Sequence, residues 1–138
     1  MKKILGLDIG DARIGVAIAE KKLVAPYGVV SGLNLQAAIA EIAKICRGEQ
    51  IQEIIIGVPQ NRQEKDTFQI DKIHSFAREL SKNIQIPIIY IDETLTSKEA
   101  ERLLARSQDK KTKKFKEEVD KLSAELILGQ YLEKSHKV

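Results

Sequence analysis

The chain has 138 residues, of which 43% are hydrophobic and 31% are charged, a composition typical of a globular domain rather than a disordered segment. No apolar run approaches the roughly 20 residues that a membrane helix needs. The short apolar run after Lys3 stops at Asp8 with no small-residue cleavage site, so we expect no secretory leader. The single cysteine, Cys46, excludes an internal disulfide and a thiolate metal cluster. We therefore expect one cytoplasmic domain over residues 1–138, with no membrane partner.

The net charge is only +3, from 23 basic and 20 acidic side chains, so the chain as a whole lacks the basic footprint of many nucleic-acid-binding proteins. The charge is unevenly distributed. Residues 106–116 contain six basic residues and one acidic residue, a local charge of +5 that leaves −2 for the rest of the chain.

The first third of the chain has the alternation of β-strands. It predicts a strand from Lys3 to Ile9, a turn at Gly10, a second strand through Ile14 to Ile18, and a third strand from Leu23 to Val30. The short connections imply antiparallel neighbours. Pro26 predicts that the third strand lies at a sheet edge, because proline cannot donate to a central ladder.

The remaining two thirds alternate between helical and strand patterns. They first predict a helix capped by Asn34 and ending at Gly48, then a strand at 53–57 and a polar loop from Pro59 to Asp66. A helix capped by Asp66 or Thr67 and a strand from Pro87 to Ile91 follow. The chain ends with a helix opened by the capping box Thr96 and Glu99 and a last helix from Glu117 or Glu118 to Glu133. Crossover connections of this kind give parallel strands covered by helices. The order βββ-α-β-α-β-α-α therefore predicts an α/β, ribonuclease H-like fold. Its mixed five-stranded sheet has three antiparallel and then two parallel strands, flanked by about four helices.

A single aspartate and an adjacent acidic pair are not explained by this pattern. Asp8 lies in a strand that we expect to be buried on both faces, where an unpaired carboxylate costs several kcal/mol. Asp92 and Glu93 follow a later strand, and if that strand is parallel to the first, both end at the same sheet edge. The alternatives are that Asp8 caps the Gly10 turn and that Asp92 and Glu93 are solvated loop acids.

Asp120 is a third candidate. At 100° per residue it begins a helical stripe with Ala124, Ile127 and Tyr131, the stripe that we expect to face the sheet. The alternative is an ordinary acid in the first turn, favoured by the helix dipole.

Three carboxylates that converge at one sheet edge would bind a hard divalent cation, Mg²⁺ or Mn²⁺. Two such ions about 4 Å apart activate a water molecule and stabilise the leaving oxygen in phosphodiester cleavage. No set of histidine or cysteine ligands competes, and we expect His74 and His136 to be surface groups.

The basic segment 106–116 directly precedes Asp120. It is either a solvated loop or a contact for the phosphate backbone of a nucleic acid. The candidate phosphate contacts are Arg106, Lys110, Lys111, Lys113 and Lys114. Phe115 is either a packing anchor or a stacking partner for a base.

The motifs around these residues resemble one family. Leu5–Gly10 followed by Arg13–Ala17 resembles the opening of the YqgF family, whose members are described as pre-16S ribosomal RNA nucleases or Holliday-junction resolvase-like proteins. Residues 56–61, 92–96 and 120–124 resemble three further signatures of that family, in order over nearly the whole chain. Thr94 and Ser123 depart from the pattern and stand where the family has arginine and the first of two alanines.

The resemblance implies a ribonuclease H-like fold in which Asp8, Glu93 and Asp120 are catalytic acids that hold a water-activating divalent ion. It also implies that Arg13 and the loop ending at Asn61 lie near the substrate phosphates.

The leading hypothesis is a metal-dependent nuclease of structured nucleic acid, with RNA favoured over DNA. The resemblance suggests pre-16S ribosomal RNA maturation, with ribosomal precursor particles as partners. The alternatives are a Holliday-junction resolvase-like DNA endonuclease and a non-catalytic RNA-binding module of ribosome assembly. A phosphotransferase of the actin and sugar-kinase class is disfavoured, because such enzymes need two domains and this chain lacks a Gly-x-x-x-x-Gly-Lys-Ser/Thr loop.

Overall fold

The computed structural model describes residues 2–59, 64–93, 100, 102 and 113–135, and at 64–67, 93 and 135 it describes the backbone alone. In chain order, the elements of these ranges are β1 (Lys3–Ile9), β2 (Arg13–Glu20), β3 (Leu23–Ser31), α1 (Leu35–Gly48), β4 (Glu53–Pro59), α2 (Glu64–Ser81), β5 (Ile88–Glu93) and α3 (Lys113–Ser135). Within these ranges we find no helix with the length and apolar character that crossing a bilayer requires.

The five strands form one sheet in the order β3-β2-β1-β4-β5. The pairs β1–β2 and β2–β3 are antiparallel, whereas β1–β4 and β4–β5 are parallel. The predicted mixed sheet is therefore confirmed. Pro26 lies in β3, an edge strand of the sheet, as its missing N–H predicted.

The alternation of β1 divides its side chains between two cores. Leu5, Leu7 and Ile9 pack with α1 and α2 on one face of the sheet. Ile4 packs with α3 on the other face, where Gly6 lies against Leu128. By the same alternation, Asp8 lies on the α3 face.

Helix α1 begins and ends as its sequence predicts. The Asn34 side chain accepts a hydrogen bond of 3.0 Å from the backbone N–H of Ala37 and caps the first turn. The helix ends at Gly48. Its apolar stripe, including Ile39 and Ile42, is fully buried against the sheet.

Two predicted helix starts are wrong. Helix α2 begins at Glu64, so the expected cap at Asp66 or Thr67 lies inside the helix. Glu64 and Lys65 are good helix formers, and this favours the longer helix.

Helix α3 begins at Lys113 rather than at Glu117 or Glu118. Phe115 and Val119 are buried with Ala100, and this contact gives the first turns of α3 an apolar face. Phe115 is therefore a packing anchor. Ala100 and Arg102 are helical, and the rest of the helix predicted from the Thr96–Glu99 capping box lies outside the described residues.

A buried acid joins the second half of α3 to the start of β4. Glu53 is only 5% exposed, and its Oε1 accepts a hydrogen bond of 2.7 Å from the hydroxyl of Tyr131. Its Oε2 lies 3.3 Å from Nζ of Lys2. The hydrogen bond to Glu53, together with burial, raises the pKa of Tyr131 to about 12. The hydrogen bond from Tyr131 and the ion pair with Lys2 thus offset the hydration that the Glu53 carboxylate loses on burial.

We expect Tyr131→Phe to destabilise the fold by about 1–3 kcal/mol, because it removes one of the partners of a buried charged group. The measurement is urea denaturation near neutral pH. Tyr27→Phe is the control, since Tyr27 is 47% exposed on β3. Equal stability losses in the two variants would mean that the Tyr131–Glu53 hydrogen bond does not anchor α3.

Candidate active site

The candidate site lies at the carboxyl end of β1, on the face of the sheet that α3 covers. Asp8 is half-buried there, one residue before the end of the strand. Its partner in the antiparallel register with β2 is Gly15. In such a pair the two Cα atoms are about 4.5–5.5 Å apart, so whatever lies on Gly15 is a neighbour of Asp8.

The residue that lies on Gly15 is Asp120. A Cβ atom at position 15 would overlap the backbone carbonyl of Asp120. The absence of a side chain at Gly15 therefore lets the first turns of α3 rest directly on β2. This close approach places the backbone of Asp120 on the strand beside Asp8, although the two residues are far apart in the sequence.

An arginine connects Asp120 to the sheet. Arg13 begins β2, and its Nε donates a hydrogen bond of 2.6 Å to Oδ2 of Asp120. The two side chains are 33% and 19% exposed, so the ion pair is partly shielded from water. Burial raises the pKa of Asp120, while the hydrogen bond and charge of Arg13 act in the opposite direction. The Asp120 carboxylate is therefore poorly solvated, and a cation beside it, in addition to Arg13, would stabilise its charged form.

Glu93 is the last residue of β5 and lies opposite Pro59 in the parallel register. Because β1, β4 and β5 are parallel, Glu93 ends its strand at the same edge as Asp8. The side chain of Glu93 lies outside the description, and neighbouring Asp92 is exposed. The structure thus places the backbone of Asp120 on the register partner of Asp8, and β5 ends with Glu93 at the same edge of the sheet.

The donor chemistry at this edge fits a hard divalent cation, because carboxylate oxygens are the ligands that Mg²⁺ and Mn²⁺ prefer. Among the side chains that the structure describes, no three His, Cys, Asp or Glu residues are arranged to hold a metal ion. The third ligand of the predicted set, Glu93, is not among those side chains.

The predicted phosphate contacts divide into two groups. Lys113 and Lys114 are exposed in the first turn of α3. The other candidates, Asn61, Arg106, Lys110 and Lys111, lie outside the described residues. Lys113 and Lys114 were expected in a loop before the helix, but the helix includes them.

Sequence reasoning missed why Gly15 matters. The residues of β2 that face α3 are all small apart from Arg13, namely Gly15, Ala17 and Ala19. Small residues on one face of a strand indicate close approach of another element. Together with Gly6 on β1, this stripe was the available signal for where α3 lies.

The sequence also places the chain in a known family. A family model described as RuvX, Holliday junction resolvase, matches residues 2–134, from the start of β1 almost to the end of α3. The chain belongs to the RuvX family. This membership confirms the resemblance that the motifs of Asp8, Glu93 and Asp120 carry.

Curated relatives of this RuvX family member are similar over nearly their whole length. A protein of Carboxydothermus hydrogenoformans named as a pre-16S rRNA nuclease is 39% identical over 132 residues, which are 94% of this chain and 95% of the relative. A protein of Natranaerobius thermophilus with the same name is 34% identical over 134 residues, 96% and 94% of the two chains.

Solved structures agree on the fold. RuvC of T. thermophilus, in complex with a Holliday junction substrate, superposes with a TM-score of 0.58 at 11% identity, over 97% of this chain and 96% of that one. At so low an identity the similarity shows the fold alone, and it confirms the predicted ribonuclease H-like architecture.

We expect Gly15→Ala to destabilise the protein by roughly 1–3 kcal/mol or more, because the new methyl group would force α3 away from β2. Gly28→Ala is the matched control, since a Cβ at this β3 glycine meets no atom within 4 Å. Urea denaturation of both variants measures the difference. If Gly15→Ala is as stable as Gly28→Ala, the close seating of Asp120 on β2 is wrong.

We expect Asp120→Asn to raise stability near neutral pH, because burial raises the pKa of Asp120 in the folded state. A raised carboxyl pKa favours folding at low pH, and this contribution is lost as the pH rises through the folded pKa. The amide stays neutral at every pH, so its advantage should shrink as the pH falls through that pKa.

The measurement is denaturation in EDTA over a pH series. Asp71→Asn is the control, because Asp71 is exposed on α2. An Asp120→Asn variant clearly less stable than the parent near neutral pH would mean that the ion pair with Arg13 outweighs the cost of burial.

Proposed function

We propose that this chain is a divalent-metal-dependent nuclease that cleaves structured RNA in the maturation of pre-16S ribosomal RNA, with residues 1–138 acting as one catalytic domain. Membership of the RuvX family makes it a nuclease and a nucleic-acid-binding protein. The observation that supports the proposal is that the backbone of Asp120 rests on Gly15, the register partner of Asp8, at the carboxyl end of β1. The names of the relatives support ribosomal RNA as the substrate.

In this proposal Asp8, Glu93 and Asp120 hold Mg²⁺ or Mn²⁺ through carboxylate oxygens. The bound ion would supply Lewis acidity for activating water and stabilising the leaving oxygen. Arg13 keeps Asp120 in place through its 2.6 Å hydrogen bond and is itself one-third exposed. Its guanidinium can therefore also bind a substrate phosphate at the same edge, a group that arginine recognises well.

The lysines of α3 support contact with a phosphate backbone. Lys113, Lys114 and Lys116 are exposed in or near the first turn, which contains no acidic residue. Cations are unfavourable at a helix N-terminus because of the helix dipole. Helix stability therefore does not account for them, whereas attraction of phosphates would. We place Asn61, Arg106, Lys110 and Lys111 in the same role on their sequence alone.

A second candidate is cleavage of Holliday-junction DNA. The description of the RuvX family and the substrate in the T. thermophilus RuvC complex favour it. A resolvase that cuts two strands symmetrically requires a two-fold symmetric dimer. A comparison of pre-16S RNA fragments with four-way DNA junctions, together with the oligomeric state, separates the two candidates.

We expect Asp8→Asn to abolish cleavage of a pre-16S RNA fragment in Mg²⁺ or Mn²⁺, because an amide is a weaker and uncharged metal ligand. EDTA should abolish cleavage by the parent as well. The measurement is gel analysis of end-labelled RNA over time, with a four-way DNA junction in parallel.

Glu118→Gln is the control for this experiment, because Glu118 is also an acid near the start of α3 but pairs with Lys121 at 2.9 Å. It should cleave as the parent does. Equal cleavage by Asp8→Asn and the parent would contradict the assigned acids. RNA binding without cleavage in either ion would favour the non-catalytic assembly module instead.

A further inference from the structure

An exposed aromatic pair lies at the β5 edge of the sheet. Tyr90 of β5 is 41% exposed. The ring of His74, on α2, packs against it with the ring centroids 4.7 Å apart and the planes inclined by 40°. From its sequence context His74 could not be told from an ordinary surface histidine, because its aromatic partner comes from another element.

The surroundings of the pair combine apolar surface with positive charge. A shallow groove of about 390 Å³ follows β5 from Ile89 to Asp92 and is closed on its other side by Tyr131 and Lys134 of α3. On the α2 side, Arg78 follows His74 by one helical turn. Burial raises the pKa of Tyr90, and the positive charge of Arg78 acts in the opposite direction. The ring of Tyr90 lies on the α2 face of the sheet, whereas Ile89 and Ile91 pack on the α3 face, so Arg78 and Lys134 flank this edge strand on opposite faces.

The groove runs toward the carboxyl end of β5. Asp92 lines it, and Glu93 ends the same strand at the edge where Asp8 lies. Tyr90 is level with Ile56 of β4 and, through it, with Leu7 of β1, one residue before Asp8. A polymer that crosses the β5 edge beside the Tyr90 ring would thus reach the end of the sheet where the proposed catalytic acids lie. Partly exposed aromatic rings with flanking cations are the means by which proteins bind unpaired nucleotides, because every base has a face that can stack.

We propose that Tyr90, supported by His74, is a stacking platform for an unpaired base next to the cleavage position. This inference rests on the proposed nuclease function and specifies its substrate class, a nucleic acid with a single-stranded segment beside a duplex. Arg78 and Lys134 neutralise the phosphates of that segment.

The opposite edge of the sheet provides a matched comparison. Tyr27 on β3 is 47% exposed, much as Tyr90 is. However, it lines a cleft with Lys3 and Glu20, at the amino end of β1 and away from the carboxyl end where Asp8 lies. Tyr27 is therefore about as exposed as Tyr90, but it lies at the opposite end of the sheet from the candidate site.

The test measures binding of two fluorescent RNA hairpins in EDTA, one blunt and one with a short oligouridine tail. We expect Tyr90→Ala to weaken binding of the tailed hairpin by about 5- to 150-fold, the loss of one base–aromatic stack. Binding of the blunt hairpin should not change. Tyr90→Phe should bind the tailed hairpin as the parent does, and Tyr27→Ala should not change its binding. His74→Ala should weaken binding of the tailed hairpin, but less than Tyr90→Ala does.

An oligodeoxyuridine tail should show the same loss in Tyr90→Ala, because stacking does not involve the 2′-hydroxyl. A loss confined to the RNA tail would overturn stacking in favour of sugar recognition. Equal loss for the blunt and tailed hairpins would overturn it too. The proposal would also be overturned if Tyr90→Ala changed the sedimentation of the protein without changing its binding of the tailed hairpin. That result would assign the β5 edge to pairing with a second copy of the chain.

Failure of this inference differs from failure of the proposed function. If the parent cleaves RNA but Tyr90→Ala binds the tail normally, the platform alone is wrong. If the parent binds neither hairpin and cleaves no RNA, the proposed function fails first. Thermal unfolding of each variant checks that it is folded, and His74→Ala tests the platform from α2 without altering β5.

Discussion

The geometry of this protein depends on how closely α3 lies on the sheet. Gly6 and Gly15 leave no room for a Cβ, since the positions are filled by Leu128 and by the backbone of Asp120. Because Gly15 is also the register partner of Asp8, the packing contact that seats the helix places the backbone of Asp120 on the strand beside Asp8. The candidate site is thus a consequence of helix–sheet packing, and its precision depends on two residues that have no side chain.

The two halves of α3 affect the stability of the fold in opposite directions. In its first half, burial of Asp120 disfavours the charged form of that side chain, and Ser123 is fully buried with a hydroxyl that has no hydrogen-bond partner among the described residues. Nothing in the structure explains a serine at position 123. Farther along the helix, Tyr131 satisfies the buried Glu53. A well-anchored far end allows the near end to hold polar groups that reduce stability, which is the arrangement expected at functional sites.

Local sequence patterns predicted the strands and α1 well, because alternation and the Asn34 cap involve neighbouring residues. They failed at the start of α3, where burial of Phe115 depends on Ala100, a contact that no local periodicity records. The shared edge of Asp8 and Glu93 followed from the rule that parallel strands end together. The partner of Asp120 did not follow from any rule, because Arg13 is 107 residues away and only the closed structure brings the two together.

The nucleic-acid contacts that we propose among the described residues lie on opposite sides of the candidate acids. Exposed Lys113 and Lys114 begin α3, which lies over β1, β2 and β3, whereas Tyr90 is on β5 at the far edge. In the proposed function, a strand that reaches from these lysines to Tyr90 must cross the carboxyl ends of β1 and β4, next to Asp8. Charge alone would hold such a strand in many registers, since phosphates are equivalent. A base stacked at a fixed distance from the acids would instead select one register, and with it the bond that is cut.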